Sequence, residues 1–173
     1  MTQQHPFKVL VVDDDKSMRQ SLVELLEAAD WTVSALSRAT QVAEYLASAS
    51  FDVILSDVRM PGMSGLELLA SLDRHVAPPV VLISAHGDIP MAVDAIQTGA
   101  YSFLEKPFEP RRLLTVLKHA AEQHRLSDMT KRMREQLVSL SGLDRVLLGS
   151  DLRVAQLKAE AIDLALSDAA VLI

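Results

Sequence analysis

The stretch Lys8–Leu22, KVLVVDDDKSMRQSL, decides the fold. An apolar run of strand length ends in three consecutive carboxylates, Asp13, Asp14 and Asp15, and a helical pattern begins directly after them. Four more short apolar runs follow, the first three containing β-branched residues: TVSAL (32–36), DVILS (52–56), VVLIS (80–84) and SFLE (102–105). Between them Met18, Leu22, Leu25 and Leu26, then Val42, Tyr45 and Leu46, then Leu66, Leu68, Leu69 and Leu72, then Ala92, Val93 and Ile96 recur at spacings of three and four. Such spacings place each group on one helical face. The middle runs lack polar alternation, as strands buried on both sides do. Strands alternating with helices predict a parallel sheet covered on both faces with right-handed crossovers. Residues 7–121 therefore read as a doubly wound, five-stranded α/β domain.

Composition narrows the function classes. The chain has 173 residues, 49% of them hydrophobic, and a net charge of −6. That charge argues against a nonspecific grip on nucleic acid. It is unevenly spread: residues 1–105 carry 14 acids and 6 bases, 106–145 carry 5 and 9, and 146–173 carry 4 and 2. The basic middle segment reads as a solvated helix face, and no helix-turn-helix is visible, so direct DNA binding is not expected. Cysteine is absent, which removes disulfides and thiolate metal sites and fits a cytoplasmic setting. No apolar run is long enough for a leader h-region or a membrane span.

From Pro110 to about Ser141 no glycine or proline interrupts, and Leu113, Leu117, Ala120, Leu126, Met129, Met133, Leu137 and Leu140 keep mostly helical spacing. A helix of this length, roughly 45 Å, outruns the domain it leaves. Its far part needs a partner, and a second copy of the chain in a two-stranded coiled coil is the simplest. His124, Ser127 and Gln136 interrupt the stripe; a helix folded back on its own domain is the alternative. Gly142 should end it. The remainder reads as a turn, a helix over about 151–166 and the opening of a strand, AAVLI, which suggests a truncated chain.

In an open parallel sheet, ligands bind beyond the carboxyl ends of the strands. The triplet Asp13, Asp14 and Asp15 follows the first run, Asp57 the third, Ser84 ends the fourth, and Lys106 follows the fifth. Asp15 or Ser17 is a candidate helix cap. Converging carboxylates need a cation, and Mg²⁺, with its preference for oxygen, suits them. An ammonium and a hydroxyl facing one carboxylate beside Mg²⁺ fit a phosphoryl group met from several directions. Asp57 is then the nucleophile that carries an aspartyl phosphate. Two other readings compete. Asp13, Asp15, Ser84 and Lys106 occur in the order used by haloacid-dehalogenase-like phosphatases, with Asp13 as nucleophile and Asp15 as acid. A scaffold of the same fold that only dimerises would not need the full acidic set.

VLVVDDD, DVILSDVRMPGMSGLELL, PVVLISAHGD and GAYSFLEKPF, in that order and spacing, resemble the receiver domains of two-component response regulators over residues 7 to about 121. The resemblance implies the flavodoxin-like strand order 2-1-3-4-5 and a regulatory phosphoacceptor domain, not an enzyme. It implies phosphorylation of Asp57 by a sensor histidine kinase with Mg²⁺. Asp14 would be a direct metal ligand, Asp13 a direct or water-mediated one, and the Arg59 carbonyl a further ligand beside Asp57. Lys106 would bind the phosphoryl group, Ser84 and Phe103 would move as a switch, and the Lys106–Pro107 bond would be cis. Phe103 stands where many receivers have Tyr, so this aromatic lacks a hydroxyl; Arg59 and His86 occupy variable positions thought to tune phosphate lifetime. VLLGSDLRVAQL…DAAVLI resembles the start of the AAA+ domain of sigma-54-dependent activators of the nitrogen-regulation or C4-dicarboxylate-transport type. No G-x-x-x-x-G-K-[ST] occurs in the sequence. The implied organisation is a receiver at 1–121, a helical dimerisation linker at 122–145 and the start of an AAA+ domain at 146–173. The homodimer would form through the linker and the receiver face 88–118, and the AAA+ and DNA-binding domains of a longer protein would respond to it.

Overall fold

The computed structural model describes residues 5–85 and 89–140, with side chains through 137. The strands are β1 (Lys8–Val12), β2 (Thr32–Leu36), β3 (Val53–Asp57), β4 (Val80–Ser84) and β5 (Ser102–Glu105). They alternate with helices α1 (Lys16–Glu27), α2 (Val42–Ser48, entered through a 3-10 turn at Ala39–Gln41), α3 (Gly65–Ser71), α4 (Ile89–Thr98) and α5 (Pro110–Leu140). All pairings are parallel and the order is β2-β1-β3-β4-β5, the flavodoxin-like order. In register, Val12 pairs with Leu36 and Ser56, Asp57 with Ile83, and Ser84 with Glu105. The carboxyl ends of the central strands therefore finish on one edge.

Side-chain alternation along the strands builds two cores. Val9 and Val11 face α1 and α5, packing with Leu22, Leu26, Leu113 and Leu117. Leu10 and Val12 face the other side, with Val42, Leu68, Leu69 and Ala95. β1, β3 and β4 are buried on both faces, which is why their sequences carry no polar alternation.

Three expectations from the sequence need correction. β3 begins one residue later than DVILS and includes Asp57. Asp52 falls outside the strand, and its carboxylate accepts from the Lys8 N–H and the Arg125 guanidinium. In α4 the expected inner face is largely turned outward: Ala95 is fully buried, while Val93 and Ile96 are about half exposed. A small residue lets the helix lie close to the sheet, which leaves the larger apolar groups outside. Tyr45, grouped with Val42 and Leu46, is also exposed.

The described residues up to Arg125 form one compact unit, and a second begins at Leu126. Within the first, Leu113, Leu117, Ala120 and Ala121 of α5 are fully buried. Arg125 ends that unit with a dense set of contacts. Its Nε and Nη2 donate to the two Asp52 oxygens at 2.8 Å each. Nη1 and Nη2 donate to the carbonyls of His5 and Pro6, and the guanidinium lies 4.2 Å from the Phe7 ring centroid. Beyond it, Leu126, Met129, Met133 and Leu137 are 45–66% exposed. The stops, helix and strand expected from Gly142 onward lie outside the described residues.

Candidate functional site

Each residue of the β1–α1 turn is placed by a separate local cause. Asp13 continues the line of β1 and is buried, its N–H donating to the Leu36 carbonyl at 3.1 Å. Its Oδ1 accepts from the Asp15 N–H at 2.9 Å, closing an Asx turn. Asp15 is the N-cap of α1: its carboxylate accepts from the N–H groups of Met18 and Ser17, which hold its pKa below the ordinary value. Of the two cap candidates the sequence offered, Asp15 takes the position. Asp14 is exposed between them. The three like charges are thus divided between the site, its rim and a helix cap.

Across the edge, Asp57 ends β3 almost fully buried, and its Oδ2 accepts from the Arg59 N–H at 2.7 Å. The loop after it returns tightly: Val58 N–H donates to the Ile83 carbonyl and Gly65 N–H to the Val58 carbonyl, both at 2.9 Å. A Cβ at position 65 would collide with the Asp57 carbonyl, so only glycine fits. Gly62 turns the same loop at φ +85°. A capping box between Ser64 and Glu67 then starts α3.

The Lys106 Nζ lies 2.6 Å from Asp57 Oδ1 and 3.1 Å from Asp13 Oδ2. The Lys106 N–H donates to the Ser84 carbonyl at 2.8 Å, which holds its backbone beside the end of β4; the Lys106–Pro107 peptide is cis. Burial disfavours the ammonium, but the Asp57 hydrogen bond and the Asp13 charge outweigh it and raise the Lys106 pKa above 10.5. Burial also raises the Asp13 carboxyl above 3.8, and Lys106 only partly counters this. Ser84 is buried at the end of β4. Phe103 is half-buried on the α4 side of the sheet, pairing in register with Leu82.

The structure therefore brings Asp13, Asp57 and Lys106 into direct contact and sets Ser84 and the Arg59 backbone at the same edge. Among the described residues, no group of three or more carboxylate or imidazole side chains is arranged to hold a metal ion. The donor chemistry nevertheless fits Mg²⁺: the available groups are all oxygen, and the Lys106 ammonium between two carboxylates shows that positive charge is already required there. Sequence reasoning missed Arg19, whose Nη1 donates to the Asp13 carbonyl at 2.6 Å. Its position six residues after Asp13, in a helix starting at Lys16, was the available signal. Nothing local could have paired Arg125 with Asp52, 73 residues away.

A flavodoxin-like sheet thus carries, at its carboxyl edge, a lysine clasped by two buried carboxylates. The model of the response regulator receiver domain matches residues 9–118, and the chain belongs to that family. The C4-dicarboxylate transport transcriptional regulatory protein DctD of Pseudomonas aeruginosa is 38% identical over 167 residues, covering 96% of this chain and 36% of the relative. The DNA-binding transcriptional regulator NtrC of Escherichia coli K12 is 38% identical over 142 residues, covering 82% and 29%. The chain thus spans about a third of the length of these two relatives. Among solved structures, the beryllofluoride-activated NtrC4 receiver domain dimer matches with a TM-score of 0.63 at 35% identity, covering 68% of this chain and 98% of that one. Receiver domains are regulatory phosphoacceptors rather than catalysts and generally bind Mg²⁺ at the phosphorylation site. This family assignment displaces the haloacid-dehalogenase-like reading, whose proposed acid, Asp15, serves as a helix cap.

Proposed function

We propose that Asp57 accepts a phosphoryl group from a sensor histidine kinase and that this modification changes the geometry of a homodimer. In the longer protein, that change would control the ATPase of a sigma-54-dependent transcription activator. The observation that carries the reading is the Lys106 ammonium held between Asp57 and Asp13 at the carboxyl edge of the sheet. An Asp57 carboxylate oxygen attacks phosphorus, and the new O–P bond forms as the P–N bond to the donor imidazole breaks. The electron pair stays on that nitrogen, which is then protonated. Lys106 neutralises charge on the transferred group while Asp13 and Arg59 N–H fix the geometry around Asp57. Mg²⁺, held by Asp13, Asp14, Asp57 and the Arg59 carbonyl, would supply further charge neutralisation when bound.

After transfer, Asp57 no longer offers Lys106 the same carboxylate. Ser84, on the next strand, would move toward the phosphoryl group, and Phe103 would follow and alter the face 88–118. On the described part of that face, Ile89 is 81% exposed and Val93 and Ile96 about half exposed, a suitable contact surface. The exposed stripe Leu126, Met129, Met133 and Leu137 supplies the linker contact. A dimer shift of about a hundredfold needs about 2.7 kcal/mol of differential interaction.

The organisation that follows is a receiver at 1–121, a dimerisation linker at 122–145 and the opening of an AAA+ domain at 146–173, working in the cytoplasm. The length of the DctD match, 167 residues, supports the last segment. The test is sedimentation of the chain with and without acetyl phosphate and Mg²⁺, beside Asp57→Asn. The reading predicts a changed dimer equilibrium or shape only where Asp57 is present. An unchanged sedimentation profile despite full labelling would refute the switch.

A further inference from the structure

Arg19 points back from the second turn of α1 to the turn that precedes it. Its Nη1 donates to the Asp13 carbonyl at 2.6 Å and, at 3.4 Å, reaches the Asp14 carbonyl. Other groups of that turn are tied as well: Asp13 N–H to Leu36, Asp15 N–H to Asp13 Oδ1, and the Asp15 carbonyl to the Arg19 N–H at 2.9 Å. A guanidinium here is unfavourably placed with respect to the helix dipole, because cations are disfavoured at helix N-termini. One nitrogen, Nη1, reaches both adjacent carbonyls, and the guanidinium takes main-chain oxygens rather than a carboxylate that a metal needs.

We propose that Arg19 is a positioning residue for phosphoryl acceptance, holding the backbone of the acidic turn so that the Asp13 and Asp14 carboxylates are set in advance for a divalent cation. The inference rests on the Mg²⁺ reading given above. Two effects of Arg19 on a cation have opposite signs, and this makes the proposal testable. As a charge, the guanidinium repels Mg²⁺, so its removal should tighten binding. As a support for the turn, it favours Mg²⁺, so its removal should weaken binding.

The experiment is calorimetric titration of the unphosphorylated full chain with Mg²⁺, comparing the unsubstituted protein with Arg19→Met and Arg19→Gln. Emission of Trp31, packed against Phe7, reports that each variant is folded. The expected result is about tenfold weaker Mg²⁺ binding in Arg19→Met, the scale on which groups orienting metal ligands act. Arg19→Gln, neutral but still a donor, should bind no more tightly than the unsubstituted protein. Labelling of Arg19→Met by acetyl phosphate should slow at low Mg²⁺ and recover as Mg²⁺ is raised. Binding as tight or tighter in Arg19→Met, or tighter in Arg19→Gln, overturns the inference and leaves the metal reading standing. Absence of saturable Mg²⁺ binding in the unsubstituted protein overturns both.

Discussion

Asp13 is a buried carboxylate whose pKa lies above 3.8 because burial outweighs the attraction of Lys106. Its sign in the stability balance follows directly. The native state binds this proton more readily than the unfolded chain, so stability falls as pH rises from 3.8 through the raised native value. Asp13→Asn lacks that loss. Its melting temperature should exceed that of the unsubstituted protein at pH 7, with the difference shrinking toward zero below pH 3.8, as calorimetry across pH would show. Lys106 has the opposite role: its raised pKa contributes stability that is complete below 10.5 and lost as pH rises through the native value. Lys106→Ala leaves Asp13 and Asp57 facing each other without the ammonium and should cost about 1–3 kcal/mol in denaturant unfolding at pH 7. The same variant is predicted to accept the phosphoryl group on Asp57 but to show a weakened dimer response. A normal response in fully labelled Lys106→Ala would remove the lysine from the switch.

At the scale of elements, β3 carries Asp57 at its carboxyl end, and the Asp52 that grips α5 immediately precedes its first residue. Arg125→Met removes a bidentate, partly exposed ion pair and two carbonyl contacts. It should destabilise the fold by about 1–2 kcal/mol and raise amide exchange near Phe7, with little effect on labelling of Asp57. Gly65→Ala should be worse for function, because the added methyl displaces the Asp57 carbonyl itself. A loss of about 1–3 kcal/mol together with slower labelling is expected. The strands and the long helix were legible because burial on both faces and an unbroken periodic stripe leave plain patterns. α4 was not, since Val93 and Ile96 have helical spacing whichever way the face turns. The site edge was legible because topology sends strand ends to one side. The Arg19 and Arg125 contacts were hidden because they use main-chain oxygens or partners far along the chain.

The whole molecule joins an acidic site at one edge of a sheet to a helix whose far residues expose Leu126, Met129, Met133 and Leu137. Among the described residues, no helix is long and apolar enough to cross a membrane. If that stripe makes the linker contact proposed above, Leu126→Lys with Met133→Lys should shift the chain toward monomer in sedimentation while leaving the receiver folded. The central claim is chemical, and it is tested by intact-mass analysis and peptide mapping after treatment with acetyl phosphate and Mg²⁺. The account predicts one added phosphoryl group, removed by hydroxylamine, on Asp57, and none in Asp57→Asn. An adduct on Asp13, or turnover of a phosphate ester with no adduct on Asp57, would contradict it.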